Sequence, residues 1–225
     1  MKERHGKDIP AADHFDKATT KAEQRLIAHL NTPDSIQLFL DELDYGTETI
    51  YRSPLRVLHE RTCQCFDGAV FAAAMLHRLH YPALIMNLLP NNRDDDHVLA
   101  LFRRDGHWGA LAKSNFAGLR YREPVYRDLR ELVMSYFENY YNLHREKTLR
   151  GYTRPLDLKA FHRFQWMMRD ETMELIAQRL DEMRRVAILT RPMIARLCLV
   201  DKRSCRAGLH GANQAGLSRP PRRKN

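Results

Sequence analysis

Cys65-Phe66-Asp67-Gly68-Ala69-Val70-Phe71-Ala72-Ala73-Ala74-Met75-Leu76 is the stretch whose reading decides the fold. Phe71, Ala72, Met75, Leu76 and Leu79 recur at helical spacing, so the run reads as a buried helix with a cysteine at its head. Tyr81-Pro82 stops it, because proline cannot continue the hydrogen-bond ladder. Downstream, His97 opens an apolar run, and a Trp108-bearing run then leads into Lys113-Ser114-Asn115. A thiol at a helix N-terminus, an imidazole on a strand and a polar residue on the next strand form an arrangement that activates sulfur. The helix end supplies partial positive charge and free N–H groups, which favour thiolate over thiol. A neighbouring imidazole takes the proton, and a third group orients that imidazole.

On either side of this helix the pattern changes period. A helix is expected from about residue 16 to 30, and Thr32-Pro33-Asp34 starts another with a capping hydroxyl and proline in the first turn. Ile36, Phe39, Leu40 and Leu43 share one of its faces, and Gly46 marks its end. Ser53-Pro54 opens a short helix carrying Leu55 and Leu58. Past the cysteine helix, Ala83 to Leu89 reads as a buried strand and residues 90–96 as a polar loop. His97 to Phe102 reads as a second strand, Asp105-Gly106 as a hairpin turn, and His107 to Ala112 as the returning strand. Helices followed by an antiparallel meander make the class α+β.

The hairpin sets the geometry of the candidate site. With a two-residue turn, paired positions sum to 211 and His97 lies opposite Ser114. A bulge at Gly106 instead puts Asn115 on the face of His97. Either way the His97 end of one strand meets the Ser114-Asn115 end of the next, and which of the two orients the imidazole stays open. Asp94-Asp95-Asp96 reads as a solvated loop whose charge would raise the imidazole pKa.

Further on, Leu129, Leu132, Val133, Tyr136, Phe137 and Tyr140 mark one face of a long helix. Met173, Ile176, Leu180, Met183 and Ala187 mark another, from 171 to 189, whose seam covers the domain or meets a second copy. The expected organisation is a flexible N-terminus over 1–15, one main domain over 16–165, a helical extension over 166–200 and a disordered basic tail over 201–225.

Composition narrows the function. The chain of 225 residues carries a net charge of +9. Between Asp201 and Asn225 there are seven Lys or Arg against one Asp, which leaves only +3 for the first 200 residues. A basic tail attracts polyanions without reading them, so no dedicated nucleic-acid site is expected. Four cysteines (63, 65, 198 and 205) form no disulfide framework, and no apolar run reaches the length of a membrane span. Together with a polar N-terminus these point to a reduced, cytoplasmic protein away from the membrane. Cys63, Cys65, His97 and His107 lack the spacing of a zinc site, and no metal or cofactor is expected. Phosphate-loop, dinucleotide-glycine, His-Glu-x-x-His and Gly-x-Ser-x-Gly patterns are absent, which leaves sulfur as the best nucleophile.

The stretch from about Ser53 to Asn142 resembles a transglutaminase-like domain, a branch of the papain-like cysteine enzymes. Arylamine N-acetyltransferases are more distant relatives. The resemblance rests on Cys65 heading an Ala-rich helix, His97 beginning a strand, and Gly106-His107-Trp108 leading to the third position. Lys113-Ser114-Asn115-Phe116 through Tyr121-Arg122-Glu123-Pro124-Val125-Tyr126 is also similar to bacterial members of that superfamily. It implies a papain-like/transglutaminase-like core, with the cysteine helix packed on a small antiparallel sheet and extra helices around it. It further implies that Cys65 attacks an amide or thioester carbonyl of a protein, peptide or small substrate. His97 would be general base and then acid, Asn115 the orienter with Ser114 as alternate, and backbone N–H groups at the helix start the oxyanion hole. Gln64 and Trp108 are assigned to the cleft lining, Trp108 chiefly as a core anchor flanking the site. Such domains usually carry Asp in the third position, whereas Gly109 to Lys113 hold no carboxylate. The alternative reading is therefore a catalytically inactive fold that serves as a protein-interaction module.

Overall fold

The structure is a computed structural model and describes residues 15–217. The expected flexible N-terminus lies outside the described residues, apart from Phe15. Thr20 and Glu23 form a reciprocal cap on helix α1 (Lys21–His29), and Thr32 caps α2 (Pro33–Glu42) with proline in its first turn. A two-residue strand β1 (Asp44–Tyr45) pairs in parallel with β2 (Thr62–Cys63), and α3 (Pro54–Glu60), capped by Ser53, lies between them in sequence. The cysteine helix is α4 (Cys65–Arg78).

The main sheet follows. Its strands are β3 (Leu84–Pro90), β4 (His97–Arg104), β5 (His107–Leu111), β6 (Arg122–Tyr126), β7 (Leu149–Thr153), β8 (Leu156–Asp157) and β9 (Arg185–Ala187). Their order is β6-β5-β4-β3-β7-β9, with β8 also paired to β3, and every pairing is antiparallel. The β4–β5 hairpin has the two-residue register: Ala100 opposes Leu111 and Arg104 opposes His107. Asp105 and Gly106 both have positive φ (49° and 80°), the turn geometry that matches strand twist.

Alternation along the strands divides the interior into two layers. On one face Ile85, Val98, Ala100, Phe102 and Leu111 pack against Ala69, Val70, Ala72 and Ala73 of α4 and against the preceding helices. The small α4 side chains let that helix lie close to the sheet. On the other face Leu88, Leu99, Leu101 and Ala112 are covered by Leu132, Val133, Tyr136, Phe137 and Tyr140.

Several expectations change here. The long helix after Tyr126 is instead α5 (Leu129–Met134) and a 3-10 turn, Phe137–Asn139. Ser135 bonds its hydroxyl back to the Leu132 carbonyl at 2.6 Å, and the aromatics turn onto the sheet rather than extend the helix. The helix beginning at residue 171 stops at Asp181 (α6, Glu171–Asp181), and Arg185–Ala187 joins the sheet edge. Gly151 permits that edge, since a Cβ there would stand 2.6 Å from the Val186 carbonyl oxygen. Met173, Ile176 and Leu180 are buried in the main core, so this seam is spent within the chain. Residues 166–200 therefore complete the sheet domain rather than extend it. After α7 (Arg191–Ala195), Asp201 caps α8 (Lys202–Gly208). Gly208 lies against Tyr141, whose hydroxyl donates to the Ser204 carbonyl at 3.1 Å. The tail expected to be disordered is thus folded as far as Leu217, and its last eight residues lie outside the described ones. Among the described residues no helix is long and apolar enough to cross a membrane.

Candidate active site

Helix α4 starts where Gln64 leaves extended backbone and Asp67 closes the first turn. Asp67 accepts the Arg52 N–H at 3.0 Å on one oxygen and the Gln64 N–H at 3.3 Å on the other. The buried Arg52 guanidinium stands 3.8 Å from Asp67 and also pairs with Glu48 and Glu60. Burial pushes the Asp67 carboxyl up to about 6 despite those partners. Gly68 follows, where a Cβ would stand 2.6 Å from Lys113 Cβ. Lys113 is itself buried, and its ammonium donates to the carbonyls of Leu40 and Leu43 at the end of α2. A cation there satisfies carbonyls that the helix leaves open. The first turn of α4 is thereby tied to α2, to the loop before α3 and to the segment just after β5.

Cys65 is half-buried. Its thiol donates to the Asp96 carbonyl at 3.9 Å, and the sulfur is met by the N–H groups of Val98 and Phe66. Its backbone partners Asp96 and Val98, just before and within β4, thus bracket residue 97. The thiolate expected of a helix N-terminus does not form at rest. Burial and then the negative Asp96 carboxylate push the thiol up to about 12, outweighing the two N–H groups.

His97 is buried at the start of β4, with Nε2 at 2.8 Å from the Leu119 carbonyl oxygen. A carbonyl can only accept, so Nε2 carries the hydrogen and Nδ1 keeps the lone pair. Tyr140 stands edge-on to the ring, centroids 6.4 Å apart. Burial pushes the imidazole down to about 4, which reverses the expectation that the acidic loop raises it. That loop is anchored although Asp95 and Asp96 stay exposed: Asp94 bonds Thr148, Asp96 bonds Asn87, and the Asp95 carbonyl accepts from Tyr140 at 2.8 Å. At neutral pH, thiol and imidazole are both uncharged. Among the described residues the sulfur bonds to the Asp96 carbonyl and not to the His97 ring.

Cys65, His97, Ser114 and Asn115 all line one narrow cavity of about 60 Å³. The third position nevertheless differs from expectation. The Asn115 carboxamide accepts from the Asn213 N–H at 2.9 Å and donates to the Asn213 carbonyl at 3.2 Å, so it does not hold His97. Ser114 accepts the Phe116 N–H at 3.0 Å and shapes its own turn. The Leu119 carbonyl is the group on the imidazole, delivered by the 3-10 turn Ala117–Leu119. A backbone carbonyl has no residue-type signature, which is why the sequence does not disclose it. Gln64 and Trp108 do not line the cavity. Gln64 turns its amide to the Glu48 carbonyl, and Trp108 packs at the hairpin end with the Arg103 guanidinium 5.4 Å above its ring. The wall also includes the acidic residues Asp94, Asp95 and Asp96, the aromatics Tyr45, Phe116, Tyr140 and Tyr141, and Leu119, Gly216 and Leu217. Among the described residues no group of three His, Cys, Asp or Glu could hold a metal ion.

No protein-family model matches the chain. No curated protein matches it either. Solved structures with coarse similarity include Legionella pneumophila LapG, at 12% identity and a TM-score of 0.44 over 73% of this chain and 98% of that one. The EGTA-treated form of that protein gives 14% identity and a TM-score of 0.41 over 73% of this chain and 98% of that one. Its calcium-bound form gives 16% identity and a TM-score of 0.36 over 47% of this chain and 72% of that one.

Proposed function

We propose that this chain is a cysteine-dependent amide hydrolase or acyltransferase that works through a thioester on Cys65. The observation that carries the reading is the shared cavity. In it, a thiol at the start of α4, met by the N–H groups of Phe66 and Val98, faces the same space as a histidine whose Nδ1 is unprotonated.

In the first step Nδ1 takes the thiol proton as Sγ attacks the substrate carbonyl, and the carbonyl electron pair moves onto oxygen. Backbone N–H groups at the start of α4 are oriented toward that developing charge, as in other oxyanion sites. Collapse of the adduct expels the leaving amine or thiol, which receives the proton back from His97. Water, or an amine acceptor, then gives its proton to Nδ1 and attacks the thioester, freeing Cys65. The Leu119 carbonyl holds the ring in the right tautomer throughout. It lends the imidazolium less stabilisation than a carboxylate would. The substrate class is a protein, peptide or small amide or thioester, and the four free cysteines fit a reducing compartment such as the cytoplasm.

The test is acylation by an activated ester, read by intact mass and peptide mapping. One acyl group should appear on Cys65, vanish in Cys65→Ala, and form at least about a hundredfold more slowly in His97→Ala. The thiol held protonated beside Asp96 also favours a second reading, the non-catalytic interaction module. That reading predicts no adduct at Cys65 under conditions that acylate Cys198.

A further inference from the structure

The cavity wall includes part of the chain's own C-terminal segment. Asn213 is held three ways: its N–H and carbonyl by the Asn115 carboxamide, and its side-chain amide on the Tyr45 carbonyl at 3.0 Å. Its side-chain oxygen accepts the Ala215 N–H at 3.1 Å and turns the chain inward. Gly216 then passes the Tyr45 ring so closely that a Cβ would stand 2.8 Å from it and 3.0 Å from the Asn115 amide nitrogen. Leu217, only 8% exposed, reaches the cavity that holds Cys65 and His97. An amide side chain that pairs with both backbone polar groups of one residue reads backbone, as an added strand does. The groove therefore has the chemistry of a peptide site: a backbone clamp, a passage for a residue without a side chain, and a buried leucine in the cavity that the thiol lines.

We propose that the Cys65–His97 cleft is a peptide-binding groove whose resident occupant is the segment Asn213–Leu217, a pseudo-substrate that shields the thiol until a substrate displaces it. Competing substrates present the same chemistry: an amide side chain, a small residue three positions later and an apolar residue next. This rests on the acyl-transfer reading of the cleft. It adds what the cleft recognises and what keeps it idle. The occupant is intramolecular, so its effective concentration is high and a substrate must bind with several contacts to displace it.

The experiment compares alkylation of Cys65 by iodoacetamide, mapped by mass spectrometry, in the full chain and in Leu217→Asp and Asn213→Ala. Exposed Cys198 serves as the internal reference. Either substitution should raise the Cys65 rate about ten- to a hundredfold while Cys198 is unchanged. Adding the amidated peptide Gly211-Ala212-Asn213-Gln214-Ala215-Gly216-Leu217 at millimolar concentration should slow Cys65 in both variants, and a scrambled peptide should not. Unchanged Cys65 rates in both variants would overturn the proposal, as would equal protection by the scrambled peptide. Labelling needs no turnover, so the outcome is separate from that of the function: a released Cys65 that never forms a thioester would sink the enzyme and leave the groove standing.

Discussion

Asn115 and Asn213, 98 positions apart, hold each other through two hydrogen bonds, between the Asn115 side-chain amide and the Asn213 backbone N–H and carbonyl. This pairing gives Asn115 a different task from the one its place after the hairpin suggests. It clamps a peptide segment over the cleft, and a backbone carbonyl orients the imidazole. Asn115→Ala should therefore loosen residues 213–217, by about 1–2 kcal/mol for two neutral bonds, and leave acylation of Cys65 intact or faster. Hydrogen exchange of that segment and the ester assay read the two effects together. A fall in acylation to the level of His97→Ala would return Asn115 to the imidazole.

The titration of His97 gives a signed prediction. Its ring is held neutral, down to about 4 from an ordinary 6.5, so between those values the unfolded chain binds the extra proton. Its contribution to stability declines as pH falls from about 6.5 to about 4. Asp67 and Asp94, raised from 3.8 to about 6, act in the opposite sense, because the folded chain takes up their protons first. Replacing His97 by Gln should remove the loss, so the variant gains stability on acidification from pH 6 toward 4 relative to the parent. Urea midpoints at pH 7, 5.5 and 4.5 measure this. Parallel curves for parent and variant would show that the ring is not held neutral.

Gly68→Ala tests the closeness of α4 to Lys113, just after β5. Alanine favours helices, yet its Cβ would lie 2.6 Å from Lys113 Cβ and 3.4 Å from the Cys63 sulfur. The clash should win, with a loss of about 1–3 kcal/mol on overpacking. A raised urea midpoint would mean that the backbone there has room to spare.

Asp67 carries the first turn of α4 and faces the buried Arg52 guanidinium. Asp67→Ala leaves the Arg52 guanidinium its Glu48 and Glu60 partners but frees the backbone N–H groups of Arg52 and Gln64, for a loss of about 1–3 kcal/mol. Thermal unfolding measures it, and a loss below about 1 kcal/mol would show the carboxylate to be dispensable.

Much of this was legible in the residues. Thr32-Pro33, Ser53-Pro54 and Tyr81-Pro82 marked helix ends through local chemistry that needs no tertiary partner, and Asp105-Gly106 marked the hairpin turn while leaving two registers open, of which the structure has the two-residue one. The buried run after Cys65 was visible because α4 packs against helices on one side and the sheet on the other. The rest depended on contacts distant in sequence. Arg185–Ala187 continues a helical pattern until Gly151 offers it a sheet edge. The Gly-containing stretch after Arg206 looks like tail until Tyr141 and Asn115 are in place to receive it. The Leu119 carbonyl and the neutral state of the thiol come from burial, which residue identity alone does not encode.

The pairing of Cys65 with His97 is tested most directly by the rate of Cys65 alkylation at pH 7 in the parent chain and in His97→Ala, with Cys198 as reference. If the imidazole serves the sulfur, removing it slows Cys65 by about tenfold or more and leaves Cys198 alone. Equal Cys65 rates with and without the ring would contradict the pairing and leave the cysteine a buried thiol at a helix end.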